Sequence, residues 1–286
     1  MKKLVLLSGK GGTGKTTLAG AFIKMADSKA YADCDVDAPN LHLIAALKTA
    51  AKEEAFFGLE KAVIDTEKCT DCGLCEAVCR FDAIGGGRVD AYFCEGCGVC
   101  VEFCPAGAVA MVPHVSGKTM LYADGERVFS TARLAMGSGN SGKLVTEVKK
   151  RLSENMKWDG IAVIDGSPGI GCPVIASVTG ADMVLMVAEP SVSGMSDLAR
   201  IVKTAQTLRV RIGVCINKWD LGGEMAEEIE QYCREEGIDF LGRVPFDPAV
   251  IRELNAGRSI AEAEESPAKT AIKDVFLKAV QILYEQ

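Results

Sequence analysis

Short apolar runs recur along the chain at Leu4 to Leu7, Ile161 to Ile164, Met183 to Val187 and Ile212 to Ile216. They are too short for helices and apolar on both faces, the pattern of strands buried between two layers. Between them the apolar positions change to helical spacing. Leu198, Ile201, Val202, Ala205 and Leu208 follow a Ser193 to Ser196 start, and Met225, Ile229 and Tyr232 repeat the pattern before Gly237. Fully buried strands alternating with amphipathic helices predict an α/β protein with a doubly wound, mostly parallel sheet.

The alternation stops near Phe57 and resumes after Arg133. The interval holds a cysteine-rich block and then a hairpin-like stretch, Lys118 to Phe129, turning at Asp124-Gly125. The block reads as an insertion: residues 1–57 and 114–286 form one domain and residues 58–113 a second, small α+β one. Removing the insertion leaves about 230 residues, enough for a single α/β core.

Composition narrows the function classes. The 286 residues are 48% hydrophobic and 25% charged, with a formal charge of -7, as in an ordinary globular protein whose surface repels phosphate backbones and anionic lipid. Neither nucleic-acid nor membrane binding is expected. The opening MKKLVLLSG has too short an apolar run for a secretory signal. Twelve cysteines, eight of them within residues 69–104, in a chain without an export signal point to cytoplasmic metal ligation rather than disulfides.

Gly9-Lys10-Gly11-Gly12-Thr13-Gly14-Lys15-Thr16 follows a predicted strand and opens a helix in which Leu18, Phe22 and Met25 share a face. This is the context a P-loop requires. Its glycines let backbone N–H groups curl toward phosphate oxygens at a helix N-terminus. Lys15 is expected to reach the β- and γ-phosphates, Thr16 the Mg²⁺, and Thr17 a nearby phosphate oxygen. Lys10, just after the first glycine, resembles the deviant Walker A lysine of the MinD, Mrp and nitrogenase iron protein superfamily. The resemblance implies a P-loop ATPase that closes into a homodimer around two nucleotides, with Lys10 reaching the opposite subunit's phosphates.

Other segments extend that resemblance. Tyr31-Ala32-Asp33-Cys34-Asp35-Val36-Asp37 is similar to switch I, which implies Asp35 as the catalytic acid beside Mg²⁺, ahead of Asp33 and Asp37. Ile161 to Gly169 is similar to Walker B running into switch II, which implies Asp165 as the Mg²⁺ carboxylate. Asn217-Lys218-Trp219-Asp220 resembles a base-reading motif. In this superfamily the matching asparagine serves adenine, so ATP is favoured and GTP stays open. Pro245 and Asp247 stand where the family places a second base-contacting loop, or form a plain turn.

The cysteines fall in two runs, Cys69-x2-Cys72-x2-Cys75-x3-Cys79 and Cys94-x2-Cys97-x2-Cys100-x3-Cys104-Pro105, a pattern that resembles the bacterial two-cluster ferredoxins. The resemblance implies two [4Fe-4S] clusters, one on Cys69, Cys72, Cys75 and Cys104, the other on Cys94, Cys97, Cys100 and Cys79. Zinc is the alternative, but structural zinc sites pair two knuckles rather than use triple x2 spacing. Arg80 stands where the family has proline.

Cys34, Cys215 and Cys233 lie in strand or helix patterns and read as core. Cys172 lies seven residues after Asp165, the offset of a cluster ligand in the nitrogenase iron protein, without an identifiable second ligand. His42 and His114 read as structural or surface residues. The helical stretch Ala268 to Tyr284 lacks the basic tip with which MinD holds membranes. These features together imply a slow, partner-stimulated ATPase switch that couples nucleotide state to electron transfer or to metallocofactor assembly on a partner protein. A cluster scaffold or carrier is the alternative, weakened by the lack of a late Cys-x-x-Cys, and a positioning ATPase ranks third.

Overall fold

A computed structural model describes residues 1–45, 47, 49–156 and 158–285. Its strands are β1 (Lys2–Leu7), β2 (Ala30–Asp33), β3 (Lys52–Phe57), β4 (Lys61–Ile64), β5 (Ile84–Gly85), β6 (Arg88–Val89), β7 (Val109–Val112), β8 (Val115–Asp124), β9 (Arg127–Leu134), β10 (Ile161–Asp165), β11 (Met183–Ala188), β12 (Arg211–Asn217) and β13 (Asp239–Val244). Its α-helices are α1 (Lys15–Met25), α2 (Leu74–Ala77), α3 (Val99–Glu102), α4 (Ser141–Asn155), α5 (Cys172–Val178), α6 (Val192–Thr207), α7 (Gly223–Glu235), α8 (Pro248–Asn255) and α9 (Pro267–Tyr284).

All four apolar runs become strands of one nine-stranded sheet, in the order β13-β12-β11-β1-β10-β2-β9-β8-β3. Neighbours from β13 to β9 run parallel, and the β8 and β3 pairings at the edge are antiparallel. The period-2 geometry of β1 divides its side chains between two cores. Val5 and Leu7 join Leu144, Val174, Leu198 and Ile229 of α4 to α7, whereas Leu4 and Leu6 join Phe22, Ala249, Ile272 and Val275 of α1, α8 and α9. Helices therefore cover both faces, which is why these strands carry no polar side. Truncating one of these leucines to alanine would cost about 2–5 kcal/mol.

The hairpin turns at Gly125 (φ 60°) and pairs Asp124 with Arg127. It belongs to the large sheet, because β9 runs parallel beside β2. Helix α6 begins at Val192, ahead of the expected Ser193, because the Ser191 side chain accepts the Gly194 N–H as its N-cap. Helix α9 packs inward, with Phe276 edge-on to Phe22 at 5.1 Å.

Residues 58–113 contribute no strand to the large sheet. They form two small antiparallel pairs, β4 with β7 and β5 with β6, around Ala62, Ala83, Ile84, Cys94, Cys100 and Val109. Both ends of the segment leave from one place, since Phe57 pairs with Val115 and Gly58 N–H donates to the His114 carbonyl at 3.3 Å.

Candidate nucleotide site and cysteine cavities

Strands β1, β10 and β2 are neighbours in parallel register, so Leu6, Asp165 and Asp33 end side by side. The loop leaving β1 curls over these ends and enters α1 through Gly14, whose φ of 93° and whose Cβ position, 2.2 Å from Asn217 Nδ2, both demand glycine. Asn217 Nδ2 donates to the Thr13 carbonyl at 2.7 Å and Lys218 Nζ to the Gly12 carbonyl at 2.9 Å. The Asn217-Lys218 segment thus braces the loop from behind. Ser8, Lys10, Gly11, Gly12, Thr13, Gly14, Lys15, Thr16 and Thr17 line one cavity with Asp35 and Pro168. Thr13 Oγ1 is buried there without a partner, as fits a loop built to take a polar ligand. Gly9 is held from the side, where a Cβ would meet Asp197.

Asp165 is fully buried and holds two P-loop groups, Lys15 Nζ at 2.5 Å and Thr16 Oγ1 at 2.6 Å. Burial by itself would lower the Lys15 ammonium, but Asp165 overrides it and keeps it above the usual lysine range. Asp33 is committed differently: its carboxylate accepts the N–H groups of Asp35, Asn40 and Leu41 at 2.9–3.0 Å and so brackets the loop after β2. Burial first, and then the charge of Asp165, push Asp33 upward against those N–H groups and Lys15. Asp35 is half-buried, lines the cavity beside the P-loop and, among the described residues, accepts only the Ala38 N–H, at 3.3 Å. Burial pushes it up as well, with Lys15 pulling the other way. Asp37 is exposed and does not line this cavity. Asp35 is therefore the free carboxylate facing the loop.

A second cavity continues from Gly12, Gly14 and Thr17 to Asn217, Pro245, Phe246 and Asp247. Both Asp247 oxygens are already occupied, one capping α8 through the Ala249 N–H at 2.8 Å and one accepting the Ala268 N–H at 3.2 Å. Asp220 likewise accepts the Phe246 N–H at 2.7 Å. Any base in this cavity meets the walls of Val244 and Pro245 and the Asn217 amide rather than a free carboxylate. Lys10 lies at the outer rim, with Nζ 2.8 Å from Glu189 and 3.4 Å from Ser193 Oγ.

The eight clustered cysteines divide between two cavities of the 58–113 segment. Cys69, Cys72, Cys75 and Cys104 line one; Cys79, Cys94, Cys97 and Cys100 line the other. Gly73 (φ 72°) and Gly98 (φ 76°) turn the chain into α2 and α3 between successive cysteines. Backbone N–H groups of Asp71, Ala83 and Ala108 donate to the sulfurs of Cys69, Cys79 and Cys104 at 3.2–3.4 Å. Backbone N–H groups, Ala108 first and then Ala106, Val109 and Gly107, hold the Cys104 thiol below the usual range, whereas burial raises Cys75 and Cys100. Among the described residues no three Cys, His, Asp or Glu side chains converge on a point that a single ion would fill. Each cavity is lined by four thiols, the donor set that a [4Fe-4S] cluster takes.

Residues 4–260 match the family described as the CobQ/CobB/MinD/ParA nucleotide binding domain. The chain belongs to this family. An uncharacterized protein of Methanocaldococcus jannaschii is 34% identical over 221 residues, 76% of this chain and 78% of that one. A protein named iron-sulfur cluster carrier protein from Pyrococcus horikoshii is 27% identical over 303 residues, 99% of this chain and 87% of its own. Among solved structures, the cell division ATPase MinD of Pyrococcus furiosus superposes with a TM-score of 0.57 at 18% identity, covering 98% of this chain and 99% of that one; the likeness is one of fold. As a member of the MinD/ParA group this chain is a P-loop ATPase. No helix among the described residues is long and apolar enough to cross a membrane.

Sequence reading of this ATPase passed over several placed residues. Glu189 bridges Lys10 and Lys218, at 2.8 and 3.6 Å; its only sequence signal is an acid just past a buried strand. Lys149, one of several lysines in α4, donates to the carbonyls of Ala176, Ser177 and Thr179 at the end of α5. Cys34, Cys215 and Cys233 are fully buried. Cys172 is exposed at the start of α5 and packs against Gly142.

Proposed function

We propose that this ATPase couples its nucleotide state to a two-cluster domain that serves redox or metallocofactor assembly on a partner protein. Lys15, Thr16 and the P-loop N–H groups hold the phosphates of ATP. Asp165 and Thr16 would hold Mg²⁺, which when bound would neutralise phosphate charge, and Asp35 orients the attacking water. Lys15, paired here with Asp165, is the group placed to reach the γ-phosphate. Lys10 leaves Glu189 to reach a second copy's nucleotide as a homodimer closes. Cys69, Cys72, Cys75 and Cys104 hold one [4Fe-4S] cluster, and Cys94, Cys97, Cys100 and Cys79 the other. When bound, the clusters supply one-electron chemistry.

The observation that carries the coupling is a contact between the two units. Tyr92, two residues before Cys94, lays its ring on Gly137 in the loop between β9 and α4, where a Cβ would stand 2.2 Å from the ring. Five residues on, Gly142 in the first turn of α4 lies against Cys172, where an added Cβ would stand 3.1–3.2 Å from its backbone and side chain. Cys172 directly follows the Asp165–Gly171 segment, whose Gly169 N–H is tied to the Ser8 carbonyl beside the P-loop at 3.0 Å. A movement of that segment on γ-phosphate binding therefore reaches Tyr92 through packed atoms. Anaerobic stopped-flow reduction with and without Mg·ATP tests this. ATP is expected to change the rate in the wild type but not in Tyr92→Ala, which keeps its ATPase activity. Identical potentials, reduction kinetics and partner affinity with and without ATP would rule the coupling out.

The name of the Pyrococcus relative favours a second reading, in which the clusters are cargo and ATP drives their release to apoproteins. Finding no ATP-dependent transfer of iron from the loaded protein to an apo-acceptor removes it.

A further inference from the structure

Lys61 opens β4 with its side chain only 7% exposed, and its Nζ donates to the carbonyl of Cys94. Among the described residues no carboxylate oxygen comes within 4.0 Å of that Nζ, whereas Lys68, in the same small unit, pairs with Asp65 at 3.0 Å. An ammonium has three donors, and burying it against one carbonyl without an anion is costly. A negative charge close to the buried Nζ would offset that cost.

The adjoining feature is the second cysteine cavity. Cys94, whose carbonyl Lys61 holds, opens that cavity's cysteine run, and Ala62, the next residue of β4, lines the cavity together with Cys79, Cys97 and Cys100. A cluster with four thiolates carries about -2. Among the described residues no buried lysine or arginine holds a cysteine carbonyl of the first cavity; in other respects the two linings are alike, with exposed Asp71 and Glu76 in the first, exposed Glu95 in the second, and Cys72 and Cys97 both exposed. Arg80, beside Cys79, lies exposed over the Phe81 ring at 5.7 Å, where solvent screens it.

We infer that Lys61 is the buried counter-charge of the cluster held by Cys79, Cys94, Cys97 and Cys100, and that it raises this cluster's reduction potential above that of its neighbour. The inference rests on the reading that both cavities hold clusters. One electron from a reductant such as dithionite makes the site more negative by one, and no bond forms or breaks. A fixed positive charge favours that added electron, and the low dielectric around a buried lysine strengthens the effect.

The test is an EPR-monitored redox titration of the full chain after anaerobic cluster reconstitution, with iron and acid-labile sulfide assayed per chain. Cys72→Ser and Cys97→Ser assign each signal to its cavity. Two separate midpoints are expected for the wild type, the higher on the Cys97 side. Lys61→Met should lower that midpoint alone, by about tenfold in the reduced-to-oxidised ratio, or ~59 mV for a one-electron couple, and Lys61→Arg should retain it. Lys61→Gln covers the case in which the Met variant fails to load. It keeps a donor for the Cys94 carbonyl without the charge, so a merely structural role leaves its midpoint at the wild-type value while a counter-charge role lowers it. Loaded Gln or Met variants with unchanged midpoints, or with both midpoints shifted equally, overturn the inference. A wild-type chain that retains no iron overturns the cluster reading itself.

Discussion

Asp165 holds Lys15 and Thr16 with its two oxygens, so the P-loop is arranged around one buried carboxylate. Replacing it removes the brace and, on the proposed reading, the negative charge that would face Mg²⁺. Asp165→Asn is expected to lower Mg²⁺-dependent ATP turnover by about a hundredfold or more in a coupled assay. Nucleotide affinity without metal should fall less, and an equal loss in both would place Asp165 outside metal handling. Of Asp33 at the end of β2 and Asp35 and Asp37 beyond it, sequence spacing does not say which is tied to the backbone. Their hydrogen bonding differs: Asp33 spends its oxygens on three backbone N–H groups, and Asp35 accepts one.

At the scale of elements, the α4 and α5 pair shows how one side chain sets a helix end. The last carbonyls of a helix have no internal partner, and Lys149 of α4 takes three from the end of α5 at 2.6–2.8 Å. Lys149→Met is expected to destabilise the fold by about 1–3 kcal/mol, because those carbonyls lose their donor in a part-buried place. Its pH dependence has a definite sign. Burial pushes the Lys149 ammonium down to about 8, while the unfolded chain holds the proton up to about 10.4. Between those values the unfolded state binds more protons, so this residue's contribution to stability rises with pH. Urea melts at several values from pH 8 to 10 should show the wild-type advantage over Lys149→Met growing with pH, and a shrinking gap would overturn the assignment. The strands and long helices were legible because buried β-runs and helical spacing are local signals. The α6 start was legible only to within two residues, because Ser191 and Ser193 offer equivalent caps until the Gly194 N–H chooses one.

For the whole molecule, the insertion and the ATPase sheet make separable predictions. Because β3 and β8 are hydrogen-bonded neighbours and Phe57 faces Val115, residues 58–113 can be replaced by a short Gly-Ser linker without opening the large sheet. The excised protein is expected to keep cooperative thermal unfolding and ATP binding while losing all iron. Loss of cooperative unfolding would show that the two units share one core. Lys10, held by Glu189 at the rim of the site, is expected to matter only when a second copy arrives. Light scattering should show Mg·ATP-dependent dimers of the wild type and monomers of Lys10→Ala, with nucleotide affinity changed by less than about threefold. Dimers of the variant at the same ATP concentration would remove Lys10 from the interface.

The sequence by itself determined the α/β alternation, the P-loop with its lysines, the strand that ends in Asp165 and the spacing of the two cysteine runs. Each is written in spacings of a few residues, because glycine turns, strand periods and thiol intervals act along the backbone. Tertiary structure alone decided which charges are buried and what they face. Lys61 and Cys94 lie 33 residues apart and Lys15 and Asp165 lie 150 apart, and no local period connects such pairs. The ring of Tyr92 on Gly137 belongs to the same class, for a glycine's lack of a side chain takes on meaning only when something else occupies the space beside it.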